Sequence, residues 1–251
     1  MIQQTIDRLR DLRLRTMADA YLEQKNRGDF GGLSFDDRIQ LLVEAEWLHR
    51  FDQRVKRRLK NAKLKQPACL EDIDYKAHRG LDRKQMEDLA TCHWIRAGRN
   101  VILTGPTGVG KSWLACALAN RACREGLNSI YHRVPRLAQE LKLARGDGSY
   151  LKVLDKLARC HLLVLDDWAL SPMEGQTQHD LLEVIDDRAG ARSTIVTSQV
   201  PISKWHDLVG DPSVADALLD RLVGTAIKIE LRGASLRKAI SERADTPNTE
   251  E

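Results

Sequence analysis

Eight residues constrain this chain more than any others: Gly105, Pro106, Thr107, Gly108, Val109, Gly110, Lys111 and Ser112 follow a strand-like run, Asn100 to Thr104. They lead directly into the helical pattern Trp113 to Ala119. This is the strand, phosphate-binding loop and helix order of a P-loop, with glycines that let backbone N–H groups close around a triphosphate. The helix N-terminus adds positive potential, Lys111 is placed for the β/γ-phosphates, and Ser112 is placed to ligate Mg²⁺. A tight glycine turn without a ligand is the competing reading.

The rest of the chain reads as a setting for that loop. Strand-like runs at Ser129–Arg133, Leu162–Leu165, Ser193–Thr197 and Ala226–Glu230 alternate with helical patterns, among them Pro135–Arg145. Alternation of this kind implies a parallel sheet covered by helices, hence an α/β fold. Gly126 and Gly146 to Gly148 mark turns, and Pro172 suits the first turn of a further helix. The apolar strand Leu162–Leu165 delivers Asp166 and Asp167, 55 residues after Lys111. Asp166 is the expected Mg²⁺ carboxylate, held through water, and Asp167 the group that orients or deprotonates attacking water. The alternative for Asp167 is an exposed acidic turn before Trp168.

The first 66 residues read as a helical, basic N-terminal domain, residues 67–84 as a connector, and residues 85–243 as the nucleotide-binding domain. Residues 244–251 read as a disordered polar tail. Leu14, Met17, Ala18, Tyr21 and Leu22 recur at helical spacing until Gly28, Gly31 and Gly32 break the pattern. Ser34 with Asp37 has the spacing of a capping box, and no breaker follows until Pro67, which predicts one long helix. A short amphipathic helix is expected at Lys84–His93.

The end of the long helix, Arg54 to Lys65, carries seven Lys/Arg and no acid. Arg54, Lys56, Arg57, Arg58, Lys60, Lys63 and Lys65 are candidate contacts to nucleic-acid phosphates, with a solvated or protein-facing helix as the alternative. Arg136, Lys142 and Arg145 form a second candidate surface. Nothing in either set suggests base readout, so duplex binding is expected to be largely independent of sequence.

Net charge is only +4 over 251 residues, so these local clusters matter more than the sum. No apolar run reaches the length of a membrane span, and the N-terminus has no apolar signal core, which points to a cytoplasmic protein. The five cysteines lack a Cys-x-x-Cys spacing, which argues against a zinc knuckle or disulfide framework. His161 beside Cys160 reads as a strand-edge residue.

The ordered set Gly108–Ala119, Cys123–Gly126, Leu165–Trp168, Thr197–Gln199 and Gly233–Arg237, with the N-terminal pattern Leu9–Tyr21, resembles the IstB/DnaC group of AAA+ ATPases. Within that group the resemblance is to IstB-type transposition helper ATPases of bacterial insertion sequences. It covers nearly the whole chain and implies an AAA+ fold, ATP with Mg²⁺ as cofactors, and an ATP-dependent homo-oligomer on duplex DNA that assists a transposase. It also implies Gln199 as the sensor 1 residue, where asparagine is more usual. Arg221 becomes an arginine finger acting on a neighbouring subunit, and Arg237 the sensor 2 arginine. Alternatives are a helix-surface Arg221 paired with Asp216 or Asp220, and an Arg237 solvated beside Lys238. Asp167 stands where many AAA+ ATPases have glutamate, so slow, partner-dependent hydrolysis is expected. A replicative helicase loader of the DnaC type and a nucleotide-gated binding module with little turnover remain the competing functions.

Overall fold

The computed structural model describes residues 2–27, 30–76, 79–173 and 175–236. The chain divides into two compact units, residues 1–57 and 58–251. In the first unit, α1 (Ile2–Asp11) and α2 (Arg15–Asn26) precede the long α3 (Phe35–Ala62), whose last five residues belong to the second unit. The capping box forms: Asp37 N–H donates to Ser34 Oγ at 3.1 Å, and Ser34 N–H returns to Asp37 Oδ2 at 3.3 Å. Buried Glu46 accepts from Met17 N–H at 3.0 Å and from Arg50 Nε at 2.7 Å.

Two turns in these helices were not foreseen in the sequence. The chain breaks between α1 and α2 at Arg13, φ +60°, with neither glycine nor proline to announce it. Helix α3 stops at Ala62 rather than running on to Pro67, because Lys63 adopts φ +50° and turns the backbone out. Lys63 and Lys65 therefore leave the helical surface on which Arg54 to Lys60 lie.

The second unit is built on five parallel strands: β1 (Val101–Thr104), β2 (Ser129–Arg133), β3 (Leu162–Trp168), β4 (Ser193–Ser198) and β5 (Ile227–Glu230). Their spatial order is β2-β3-β4-β1-β5. Side-chain alternation splits the core in two. Ile102, Leu163, Leu165 and Val196 face one cluster, with α7 (Val134–Asp147), α8 (Tyr150–Arg159), α9 (Gln176–Asp186) and α11 (Pro212–Val223). Val101, Leu103, Val164 and Ile195 face the other, with α4 (Arg83–Ala90), α5 (His93–Arg96) and α6 (Lys111–Arg124). The short α10 (Trp205–Leu208) packs Trp205 into the first cluster.

The expected Lys84–His93 helix is two helices, since Cys92 at φ +58° ends the first and α5 restarts at His93. The helix expected from Pro172 begins at Gln176 instead. Met173 bridges Val209 in parallel fashion, with Met173 N–H donating to Leu208 O at 2.8 Å, which keeps that stretch extended. Strand β3 runs three residues beyond Leu165 through a register shift against β4. Asp167 at φ +63° resets the alternation there: Asp166 stays on the α6 side, while Trp168 swings into the opposite cluster against Trp205.

Candidate nucleotide-binding site

The P-loop leaves the C-terminal edge of β1 and enters α6, whose inner face from Leu114 to Cys123 is buried. Gly105, Gly108 and Gly110 adopt φ +140°, +88° and +100°, a region in which an L side chain is strained. A Cβ on Gly105 would lie 2.1 Å from Leu231 O, and one on Gly108 would lie 2.1 Å from Ser235 Oγ. The loop is thus folded against the segment that follows β5, and Leu236 N–H donates to Gly108 O at 3.0 Å. Arg237, the expected sensor 2 residue, lies outside the described residues.

A cavity of about 1020 Å³ opens above the loop, lined by Thr107, Gly108, Gly110, Lys111, Ser112 and Trp113 from the loop and α6. Its other walls come from Lys65 and Gln66, from Asp72 to Arg79, and from Arg133, Asp167, Leu170, Gln199 and Leu236. Its size suits a nucleotide. Lys111 Nζ donates to the carbonyls of Gly105 and Pro106, each at 2.7 Å, so the lysine curls back over the loop that it serves.

Asp166 is fully buried and organises the floor. Its Oδ1 accepts from Ser112 Oγ at 2.7 Å and from Thr197 Oγ1, and its Oδ2 accepts from Tyr131 Oη at 2.5 Å. Lys65 Nζ completes the set, 3.3 Å from Oδ2. Burial pushes the carboxyl pKa up, but the hydrogen bonds from Thr197, Tyr131 and Ser112 and the Lys65 charge outweigh it, and the net shift is downward. Burial, followed by the same carboxylate, pushes the Tyr131 phenol well above its ordinary range, so it remains a donor. A hydroxyl and an ionised carboxylate 2.7 Å apart at the start of α6 are the hard oxygen donors that Mg²⁺ takes, and the residues present fit Mg²⁺ with a nucleoside triphosphate.

Asp167 lies just beyond, its carboxylate paired with Arg133 Nε at 2.7 Å and its N–H donating to Thr197 Oγ1 at 3.2 Å. It is held rather than free, in a left-handed conformation of the kind that collects at functional sites. Gln199, one residue past β4, accepts from Thr107 Oγ1 at 2.5 Å and so touches the P-loop directly.

The remaining expected residues lie elsewhere. Arg221 sits near the end of α11, and its carbonyl accepts from Asn100 Nδ2 at 3.0 Å, at the opposite end of β1 from the P-loop. Its guanidinium pairs with Asp186 of α9, not with Asp216 or Asp220. Arg54, Lys56, Arg57 and Lys60 are exposed and Arg58 is half-buried on α3; Arg136 and Lys142 are exposed on α7. Arg145 is engaged within the fold, its Nε 3.0 Å from Asp180 Oδ1 and its guanidinium 3.8 Å over the Tyr150 ring. His161 Nδ1 accepts from Asn128 N–H at 3.1 Å, a strand-edge role. Sequence reasoning missed Tyr131, Thr197, Arg133 and the inward course of Lys65. Only Thr197, two residues before Gln199 on an apolar strand, offered a signal.

A family model described as IstB-like ATP binding protein matches residues 7–244. The chain belongs to this family. Among its relatives, one of Sinorhizobium fredii named as an insertion sequence ATP-binding protein is 49% identical over 234 residues, 93% of this chain and 96% of the relative. Another, named for insertion sequence IS1162 of Pseudomonas fluorescens, is 51% identical over 204 residues, 81% of this chain and 88% of the relative. Among solved structures, DnaI covers 67% of this chain and 96% of its own at a TM-score of 0.57 and 22% identity. The AMPPCP-bound DnaA of Aquifex aeolicus covers 75% of this chain and 58% of its own, at a TM-score of 0.57 and 23% identity. These likenesses establish the AAA+ P-loop fold. No helix among the described residues is long and apolar enough to cross a membrane.

Proposed function

We propose that this ATP-binding protein hydrolyses ATP slowly and assembles as a homo-oligomer on duplex DNA, where it assists the transposase of an insertion sequence in the bacterial cytoplasm. The observation that carries the nucleotide chemistry is the Ser112–Asp166 pair at the start of α6, with Asp167 and Gln199 on the same rim of the cavity. Mg²⁺ bound there would neutralise charge on the β- and γ-phosphates. Ser112 and Asp166 hold that position, Lys111 exchanges its two loop carbonyls for phosphate oxygens, and Gln199 orients the group facing Thr107. Asp167 accepts a proton from water once Arg133 releases it. The Arg133 pair supports the expectation of slow hydrolysis, because on this reading the base is engaged until a ligand or partner draws the guanidinium away.

The exposed cations Arg54, Lys56, Arg57 and Lys60 supply sequence-independent attraction to duplex phosphates, with Arg136 and Lys142 as a second surface. Arg221 is remote from its own P-loop, which suits a residue acting on a neighbouring subunit's nucleotide. The names of the relatives favour the transposition role over helicase loading. Light scattering with duplex DNA, comparing no nucleotide, ADP and a non-hydrolysable ATP analogue, tests the reading. A multimer formed only with DNA and the analogue supports it. A monomer in all three conditions rules out the oligomer, and co-purification with a hexameric helicase but not with a transposase would replace it with the loader reading.

A further inference from the structure

Arg79 lies ahead of the P-loop in sequence but against it in space. It is only 7% exposed, yet it lines the nucleotide cavity. Its Nη1 stands 3.1 Å from the position a Cβ on Gly110 would take. One bond holds the guanidinium, from Nη2 to the carbonyl of Asp74 at 2.7 Å, and Nε has no hydrogen-bond partner among the described residues. It forms no ion pair among them either. A guanidinium withdrawn from water without a carboxylate is costly, and such a cost persists where an anion is to be met.

The backbone around Arg79 is anchored to β5. Arg232 N–H donates to Arg79 O at 3.0 Å, and Gly80, at φ +74°, passes so close to Glu230 that a Cβ would lie 3.2 Å from its carbonyl oxygen. Strand β5 flanks β1 on one side, while β4, which leads into Gln199, and β3, which carries Asp166 and Asp167, lie on the other. The γ-phosphate end of a nucleotide belongs with the metal donors and the water-orienting groups on the β3/β4 side. Arg79, over Gly110 on the β5 side, then faces the part of the ligand that ATP and ADP share.

We propose that Arg79 is a nucleotide-binding residue that clamps the diphosphate common to ATP and ADP, with Asp74 O aiming its fork. The proposal rests on the nucleotide-binding reading of the cavity and extends it to a residue outside the P-loop. The group is permanently charged, and its planar donors match phosphate oxygens in a way that an ammonium does not.

The test is a titration of the full chain, wild type and Arg79→Gln, with ADP, a non-hydrolysable ATP analogue and adenosine. Arg79→Gln is expected to weaken ADP and the analogue alike, by about tenfold to hundredfold, and to leave adenosine unchanged. Arg79→Lys is expected to recover part of that loss. ADP affinity equal to wild type in Arg79→Gln overturns the proposal, as does a parallel loss for adenosine and ADP, which marks a structural role. Should Arg79→Gln fail to fold, Arg79→Lys decides: a loss of severalfold confined to the phosphorylated ligands supports the clamp, and an unchanged affinity overturns it. A wild-type chain that binds neither ADP nor the analogue sinks the nucleotide reading itself, an outcome distinct from the others.

Discussion

Asp166 shows how a single carboxylate ties the site together. Ser112 from α6, Tyr131 from β2, Thr197 from β4 and Lys65 from the segment after α3 all donate to it, so four stretches of chain converge on one buried charge. Its folded pKa lies below the ordinary value, so the stabilisation it contributes is complete above the unfolded carboxyl range and is lost as pH falls through the folded value. Urea unfolding from pH 7 down to pH 3 should therefore show wild type losing stability more steeply than Asp166→Asn below about pH 4. The variant should be the less stable of the two at neutrality. Parallel curves would mean that the carboxylate adds nothing in its ionised form. At this scale the P-loop and the Asp166–Asp167 pair were legible because their spacing and setting are local. Tyr131 and Lys65 were not, since each reaches Asp166 only through the folding of distant segments.

Among the elements, α3 carries the clearest division of labour. Its start is fixed by the Ser34–Asp37 box, its middle exposes Trp47 and Phe51 stacked 5.6 Å apart, and its end presents Arg54, Lys56, Arg57 and Lys60. If those four cations each neutralise one phosphate, replacing them together by glutamine should reduce the salt slope of log affinity for duplex DNA by about 3.6. Fluorescence anisotropy across a salt series would measure it, and an unchanged slope would remove α3 from the DNA surface. The helix start and the run of positive charge were legible because capping and composition act over a few residues. Its end was not, because Lys63 turns out of the helix without a glycine or proline. The same applies to β3, whose extension depends on a bulge that sends Trp168 into the cluster holding Trp205.

For the whole molecule, the parallel order β2-β3-β4-β1-β5 puts the P-loop, Asp166 and Gln199 at one end of the sheet and the Arg221 carbonyl, bonded to Asn100, at the other. Arg221 does not line the nucleotide cavity of its own chain, and under the proposed reading it acts on a neighbouring subunit's nucleotide. Arg221→Ala should therefore bind ATP with unchanged affinity, yet lose multimer formation on DNA and hydrolysis, the latter by on the order of a thousandfold. Nucleotide titration, light scattering and phosphate release read the three effects separately, and hydrolysis at the wild-type rate would rule out the finger. The variant also breaks the pair with Asp186, which is half-exposed and contributes little stability. By itself the sequence determined the strand–loop–helix nucleotide motif, the alternation that makes a parallel α/β sheet, and the basic end of α3. Each of these is written in residue types a few positions apart, where local backbone geometry and periodicity act. Only the tertiary structure decided that Lys65 and Tyr131 share Asp166, that Arg133 restrains Asp167, and that Arg79 is buried against Gly110. Those contacts join residues 34 to 101 positions apart, or 31 in the case of Arg79, and exist only once sheet order and register bring them together.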